Sequence, residues 1–172
     1  MAQHSGNEEE LQEQYLALLN QCQSLQISSL NGEQPESSYA PFIMRDARLF
    51  IFVSELATHT LNMLHHPYAG VMLLEPRTPK NLFTRKRITF NCRVEDIARE
   101  DAHYDELLGQ MEQELGSTVG LLKTLSDFHL LCLVPLQGRF ITGFGKAYEI
   151  SPDNHTLHHI DADQLRRSSG ED

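Results

Sequence analysis

Residues 54–62, which read Ser-Glu-Leu-Ala-Thr-His-Thr-Leu-Asn, directly follow the strand-like apolar run of residues 48–53. The pattern predicts the hydroxyl of Ser54 at a strand end and then a short helix that carries a histidine and an asparagine. Helix N-termini with hydroxyls nearby bind anions well, because their N–H groups have no partner within the helix. An ordinary capped helix start has the same pattern, so the rest of the chain has to decide between the two readings.

The composition is that of an ordinary globular protein. The chain has 172 residues, of which 40% are hydrophobic and 22% charged, and it fits one domain. No apolar run reaches the length of a membrane span, and the N-terminus lacks the layout of a signal peptide, so we expect a cytoplasmic protein with no membrane partner.

Charge and cysteine usage narrow the function classes further. The formal net charge is -10, which argues against general nucleic-acid binding, because that binding depends on neutralising phosphates with Lys and Arg. Cys22, Cys92 and Cys132 are far apart in apolar contexts. Their spacing indicates buried thiols rather than a disulfide framework or a zinc site.

Hydrophobic periodicity predicts more strands than helices. We expect an N-terminal helix at residues 8–24 and strands at 25–30, 38–44, 48–53, 69–75 and 83–94. A helical insertion follows at about 99–125, and residues 128–134 and 139–150 form a closing hairpin around Gln137-Gly138. The fold class is therefore mainly β, an antiparallel barrel with packed helices. The predicted domain spans residues 1–150, and a polar tail spans 151–172.

Four motifs in one order carry a family resemblance. They are Ser-Ser-Tyr-Ala-Pro-Phe at 37–42, the stretch at 54–62, Phe-Thr-Arg-Lys-Arg-Ile-Thr-Phe at 83–90 and Gly-Phe-Gly-Lys-Ala-Tyr at 143–148. Together they resemble the HugZ/HutZ-type haem-utilisation proteins, a branch of the pyridoxamine 5'-phosphate oxidase-like split barrels, over about residues 10–150. The resemblance implies a six-stranded antiparallel split β-barrel and a homodimer with cofactor sites at the subunit interface. The wider superfamily binds FMN there, whereas this branch binds haem and degrades it oxidatively.

The resemblance also implies site residues. Asp127 matches the carboxylate that hydrogen-bonds near the axial histidine, where an acceptor on the second ring nitrogen tunes the iron. His59 resembles a histidine near the interface that contacts this aspartate from the other subunit, and Asn62 ends the same segment. Leu61 stands where relatives tend to carry arginine, so this helix lacks a cation. Each residue also has an ordinary structural reading, as a strand-start carboxylate or a helix residue.

The basic triplet Arg85-Lys86-Arg87 can supply that missing charge. Strand alternation predicts that Arg85 and Arg87 share one face, and guanidinium groups bind carboxylate or phosphate oxygens through paired hydrogen bonds. We expect one of them to hold haem propionates. In an FMN protein they would hold the phosphate together with Ser54 and Thr58. The alternative is a solvated strand face with salt bridges.

The C-terminus departs from the resemblance. Relatives carry their axial ligand in a terminal Gly-His-Arg segment, and Leu165 occupies the histidine position in this chain. Leucine cannot bind iron. His158 and His159, with His155 close by, are the candidate iron ligands that remain, unless they belong to an ordinary polar tail.

Three function classes follow from these residues. The leading hypothesis is a haem-binding protein of haem and iron utilisation, with haem-degrading oxygenase activity as its active form. The second is an FMN-binding oxidoreductase, and the third is a non-catalytic haem carrier.

Overall fold

The helices and strands alternate along the chain. The computed structural model describes residues 2–76, 80–143 and 145–160, with side chains from residue 8 onward. The helices are α1 (Ala2–Gln21), α2 (Thr58–His65), α3 (Tyr104–Leu115) and α4 (Thr118–Leu122). The strands are β1 (Ser24–Asn31), β2 (Gln34–Arg45), β3 (Arg48–Ser54), β4 (Tyr68–Leu74), β5 (Arg87–Ile97), β6 (Phe128–Gly143), β7 (Lys146–Ile150) and β8 (Leu157–His159). None of the helices within these ranges is long and apolar enough to cross a membrane.

Six strands close a barrel. Antiparallel neighbours follow the order β3-β2-β1-β4-β5-β6, and β6 pairs back onto β3, while β7 and β8 extend the sheet beyond β6. The predicted fold class, a mainly β protein with a six-stranded antiparallel split barrel and packed helices, is confirmed. Closure leaves no free edge within the six-stranded part, which removes a common cause of aggregation.

β3 is buried on both faces. Leu49, Ile51 and Val53 point into the barrel, and Phe50 and Phe52 point outward into a second apolar cluster under α3 and α4. A strand buried on both sides has a continuous apolar sequence rather than an alternating one. This double burial explains why residues 49–53 are apolar without exception.

The predicted hairpin at Gln137-Gly138 is wrong. β6 runs through these residues without a turn, and the chain reverses after Gly143 instead. Gly138 is required by packing, because a Cβ atom there would lie 2.7 Å from the Phe90 ring and 2.9 Å from Cβ of Ile150. The glycine that looked like a turn signal therefore allows the barrel wall to approach the β7 strand closely.

The predicted domain boundary at residue 150 also needs correction. His155 is 6% exposed, and its ring stacks on Phe90 with centroids 5.6 Å apart. The Tyr15 hydroxyl of α1 lies 2.7 Å from its Nδ1 atom. The strand β8 then pairs with β7. Residues 151–160 thus belong to the folded domain, because they bury aromatic surface against the barrel and α1.

Two of the three cysteines are buried free thiols, as predicted. Cys92 and Cys132 are each 1% exposed, and Cys22 is half-buried. Burial raises the pKa of Cys92 to about 12 and that of Cys132 to about 11. Such thiols remain protonated and unreactive at neutral pH.

The packing role of Gly138 is testable with a matched pair of variants. Gly138→Ala should lower the free energy of unfolding by about 1–3 kcal/mol, because overpacking forces the Phe90 ring to move. Gly109→Ala places the same methyl group in open space on α3 and should raise stability by roughly 0.5–1 kcal/mol through helix propensity. Urea unfolding measures both, and equal effects at the two sites would contradict the packing argument.

Candidate functional site

The β3–β6 pairing brings Ser54 beside Asp127. The Ser54 hydroxyl donates to Oδ2 of Asp127 at 2.6 Å, and the Glu55 N–H donates to the Asp127 carbonyl oxygen at 2.9 Å. Ser54 Oγ also accepts from the N–H of Leu56 at 3.0 Å. The carboxylate of Asp127 is thereby oriented by its neighbours across the sheet, so that it can act on a group bound next to it.

Ser54 ends β3, and the short helix predicted to follow it begins four residues further on. α2 starts at Thr58, and its N-cap residue, Ala57, has no side chain that could accept a hydrogen bond. The Ser54 hydroxyl already donates to Asp127 and accepts from the N–H of Leu56. The anion-binding site expected at the N-terminus of this helix therefore lacks a capping hydroxyl.

His129 completes a charged cluster that the sequence did not reveal. Its Nε2 atom lies 2.8 Å from Oε1 of Glu55, and its Nδ1 atom lies 3.0 Å from Oδ2 of Asp96. Carboxylates only accept hydrogen bonds, so this geometry suits the doubly protonated imidazolium. Burial alone lowers the pKa of His129, but the hydrogen bonds and charges of Glu55 and Asp96 outweigh it and raise the pKa. His129 also lies two residues from Asp127.

α2 carries the other predicted residues near one end of the barrel. His59 is 8% exposed, and its Nε2 atom has no hydrogen-bond partner among the described residues. Burial lowers the pKa of His59 against a smaller opposing effect of Glu36. Asn62 donates to Ser29 Oγ at 3.0 Å and to Glu36 Oε2 at 3.2 Å, so its amide ties the helix to β1 and β2. Thr58 is exposed at the start of the helix.

The two candidate arginines do not share a strand face. β5 begins at Arg87, and Arg85 precedes it, following a short 3-10 turn. The Arg85 guanidinium donates to the Glu75 carbonyl oxygen through Nε at 2.9 Å and Nη2 at 2.6 Å. Arg85 thus holds the β4–β5 connection together and is not free for a ligand.

Arg87 remains available. It is half-buried, and its side chain has no hydrogen bond or ion pair to any residue that the structure describes. The register places it between Leu74 of β4 and Ile141 of β6. A half-buried cation between apolar side chains suits an acidic group carried on an apolar body.

The candidate iron ligands at the C-terminal end point in different directions. His158 and His159 are consecutive on β8, so they lie on opposite faces of the sheet. The His159 ring packs edge-on against Tyr148 at 5.4 Å, and His158 Nε2 lies 3.2 Å from Ser151 Oγ. His155 is in the core, and Leu165 lies outside the described residues. Within the described ranges, no group of three or more His, Cys, Asp or Glu side chains is arranged to hold a metal ion.

A closed six-stranded antiparallel barrel with helices packed on one side defines the split-barrel class of cofactor-binding proteins. The family model for pyridoxamine 5'-phosphate oxidase matches residues 11–142. The chain is 35% identical over 133 residues to the haem oxygenase HutZ of Vibrio cholerae. The matched residues cover 76% of this chain and 76% of HutZ. It therefore belongs to the pyridoxamine 5'-phosphate oxidase-like family, in its HutZ-type branch.

Two solved structures support the assignment. The crystal structure of HutZ from Vibrio cholerae, described as a haem storage protein, superposes with a TM-score of 0.71 and 28% identity, over 76% of this chain and 93% of that one. ChuZ from Campylobacter jejuni superposes with a TM-score of 0.76 and 28% identity, over 92% of this chain and 64% of that one.

The His129 cluster makes stability depend on pH in a defined direction. Because the pKa of folded His129 lies above its usual 6.5, its contribution is fully present below about pH 6.5 and is lost as the pH rises through the raised value. His129→Gln should therefore cost about 1–3 kcal/mol at pH 6 and progressively less towards pH 9.

Urea unfolding of both proteins across this range measures the difference. His103→Gln is the control, because that ring is 75% exposed and its nearest carboxylate is 3.8 Å away. A cost of His129→Gln that stayed constant with pH would refute the imidazolium assignment.

Proposed function

We propose that this protein binds haem as part of haem and iron utilisation. The observation that carries the proposal is the half-buried Arg87, whose side chain has no hydrogen bond or ion pair to a described residue, in a chain that matches HutZ over 76% of its length. The described residues fit an acidic cofactor with an apolar body, since they offer a cation between Leu74 and Ile141. The oriented carboxylate of Asp127 lies at the other end of β6, so a second copy of the chain would have to bring it to the same ligand.

Each residue has a proposed task. Arg87 binds a propionate. Asp127, held by Ser54, would accept a hydrogen bond from a haem-binding histidine of a second copy of the chain and would make that ring more electron-rich. When bound, haem supplies an iron that can react with dioxygen and open the porphyrin.

One of the two histidines of β8 would bind the iron. His158 lies on the outward face of the sheet, the face that also carries Arg87, whereas His159 faces the side of Tyr148. His158 is thus the better placed of the two candidates.

We further propose that the site lies between two copies of the chain, in the cytoplasm. Tyr39 and Tyr68 are 68% and 58% exposed on the outside of β2 and β4. Large exposed aromatic side chains of this kind favour contact with another protein. In such a dimer the unpaired Nε2 of His59 would meet Asp127 of the partner subunit, and the solution mass would be twice that of one chain.

Two other functions have specific support. The match to the pyridoxamine 5'-phosphate oxidase model favours an FMN-binding oxidoreductase, in which Arg87 and Thr58 would hold the phosphate. The engagement of Ser54 with Asp127 counts against it, because that hydroxyl is already used. The description of the HutZ crystal structure as a haem storage protein favours a non-catalytic haem carrier.

The absorption spectrum separates haem from flavin. We expect the Soret band to grow and saturate when haemin is added to the purified protein. When FMN is added, we expect no saturable shift of the flavin absorption bands. Saturable binding of FMN without a Soret band would overturn the haem proposal.

Asp127 should matter more for turnover than for binding. In the haem complex with ascorbate as reductant, Asp127→Asn should slow the loss of the Soret band about 10–100-fold while the haem affinity changes little. Asp153→Asn is the control, since Asp153 is exposed and away from this cluster. Equal rates for Asp127→Asn and wild type would refute its role, and a wild-type Soret band stable in reductant would favour the carrier.

A further inference from the structure

We propose that Arg139 is the second arm of an anion clamp, in which Arg87 and Arg139 together bind an acidic group of a ligand on the outward face of β5 and β6. The acidic group is a carboxylate or a phosphate carried on an apolar ring system. The identity of the ligand, a haem propionate, rests on the proposed function. The clamp itself rests on the register of β5 and β6 and on the side chains of the two arginines.

The two arginines differ from the other arginines that the structure describes. Arg45 bonds to Gln110 and Glu114, Arg85 to Glu75, Arg93 to Glu95, Arg99 to three backbone carbonyl groups, and Arg48 lies beside Cys132. Arg87 and Arg139 are both half-buried, and neither has a hydrogen bond or ion pair to a described residue. In a chain with 24 acidic and 14 basic residues, two arginines whose side chains have no hydrogen bond or ion pair to any described residue are unexpected.

The sheet places these two side chains next to each other. Arg87 pairs with Ile141, and Thr89 pairs with Arg139, so the arginines are diagonal neighbours on β5 and β6. Diagonal residues on one face lie about 7–8 Å apart, within reach of long side chains. Ile88 and Phe140, which alternate with them, are 0% exposed inside the barrel, so both arginines face outward.

Arg139 forms no ion pair with the acidic residue opposite it or with any other described residue. Glu149 of β7 is directly opposite Arg139, yet the two form no ion pair. Both guanidinium groups therefore keep the paired donors that match a carboxylate or phosphate.

The surroundings indicate an amphiphilic ligand. A cavity of about 250 Å³ lies beside Arg139 and is lined by Thr89, Asn91, Gln137 and Gly138. It is smaller than a porphyrin and has polar walls, so it suits only the acidic end of a ligand. Ile141, opposite Arg87, provides apolar surface for the ring system.

Larger clefts elsewhere suit an anion less well. The groove of about 360 Å³ between α3, α4 and the barrel is mostly apolar, and its charged lining residue is Glu114. The cleft of about 570 Å³ near the β2–β3 turn contains Arg45 and Arg48, but also four carboxylates, Asp46, Glu95, Asp101 and Glu106.

Haemin and its dimethyl ester test the clamp, because esterification removes both propionate charges and leaves the ring and iron unchanged. Wild-type protein should bind haemin more tightly than the ester. Arg139→Gln should raise the Kd for haemin about tenfold, as expected for one lost charge-assisted hydrogen-bonded pair, and leave the Kd for the ester unchanged. Arg139→Lys keeps the charge without the planar fork and should fall between the two.

Arg93→Gln is the matched control, because Arg93 is on the same strand but paired with Glu95. Unfolding midpoints of all variants confirm that they are folded. If Arg139→Gln changed neither affinity, or weakened haemin and the ester equally, the clamp would be overturned.

Failure of the haem proposal is distinguishable from failure of the clamp. If wild-type protein binds no haemin, the same variants are titrated with FMN and with riboflavin, which lacks the phosphate. Arg139-dependent binding of FMN but not of riboflavin supports the clamp with a phosphate ligand. If neither cofactor binds and inorganic phosphate shows no Arg139-dependent binding, both proposals fail.

Discussion

The pairing of β3 with β6 is the interaction on which the rest of the structure depends. It closes the barrel, and it is stabilised on both faces, by Leu49, Ile51 and Val53 inside and by Phe50 and Phe52 under the helices. A shift of one residue in this register would exchange the two sets of side chains between the interior and the helices. The apolar run of β3 therefore specifies both the closure and the place where the helices pack.

The same register builds the acidic part of the candidate site. With Ser54 opposite Phe128, the serine hydroxyl reaches Asp127 and the Glu55 carboxylate reaches His129. The cationic part lies on β5 and β6, where Arg87 and Arg139 face outward. The two parts lie towards opposite ends of β6, a single strand of 16 residues, so they can contact one ligand only if two copies of the chain bring them together.

The fold is predictable from the sequence because the strand signals are local. The continuous apolar run of β3 and the alternation of β5 are properties of adjacent residues, and the ordered motifs specified the split barrel. Features that depend on distant residues were misplaced. Gly138 was taken for a turn because the approach of Phe90 and Ile150 is not visible in the sequence. Similarly, the core position of His155 depends on Tyr15, 140 residues earlier.

The candidate site was predicted in part for the same reason. Arg87 lies in one of the ordered motifs and Asp127 matches a position of the family resemblance, whereas the partners of His129 are 33 and 74 residues away and no motif marks them. Arg85 was assigned to the wrong environment, because the start of β5 is set by the turn at Leu82–Thr84. Local sequence patterns therefore identify candidate charged residues, whereas the strand register determines which of their side chains contact one another.

A crystal structure of the haemin complex tests the central claim most directly, because the claim is a location. We predict a porphyrin on the outward face of β5 and β6, with a carboxylate at hydrogen-bond distance from both Arg87 and Arg139. A porphyrin bound in the groove between α3, α4 and the barrel, away from these arginines, would contradict the account.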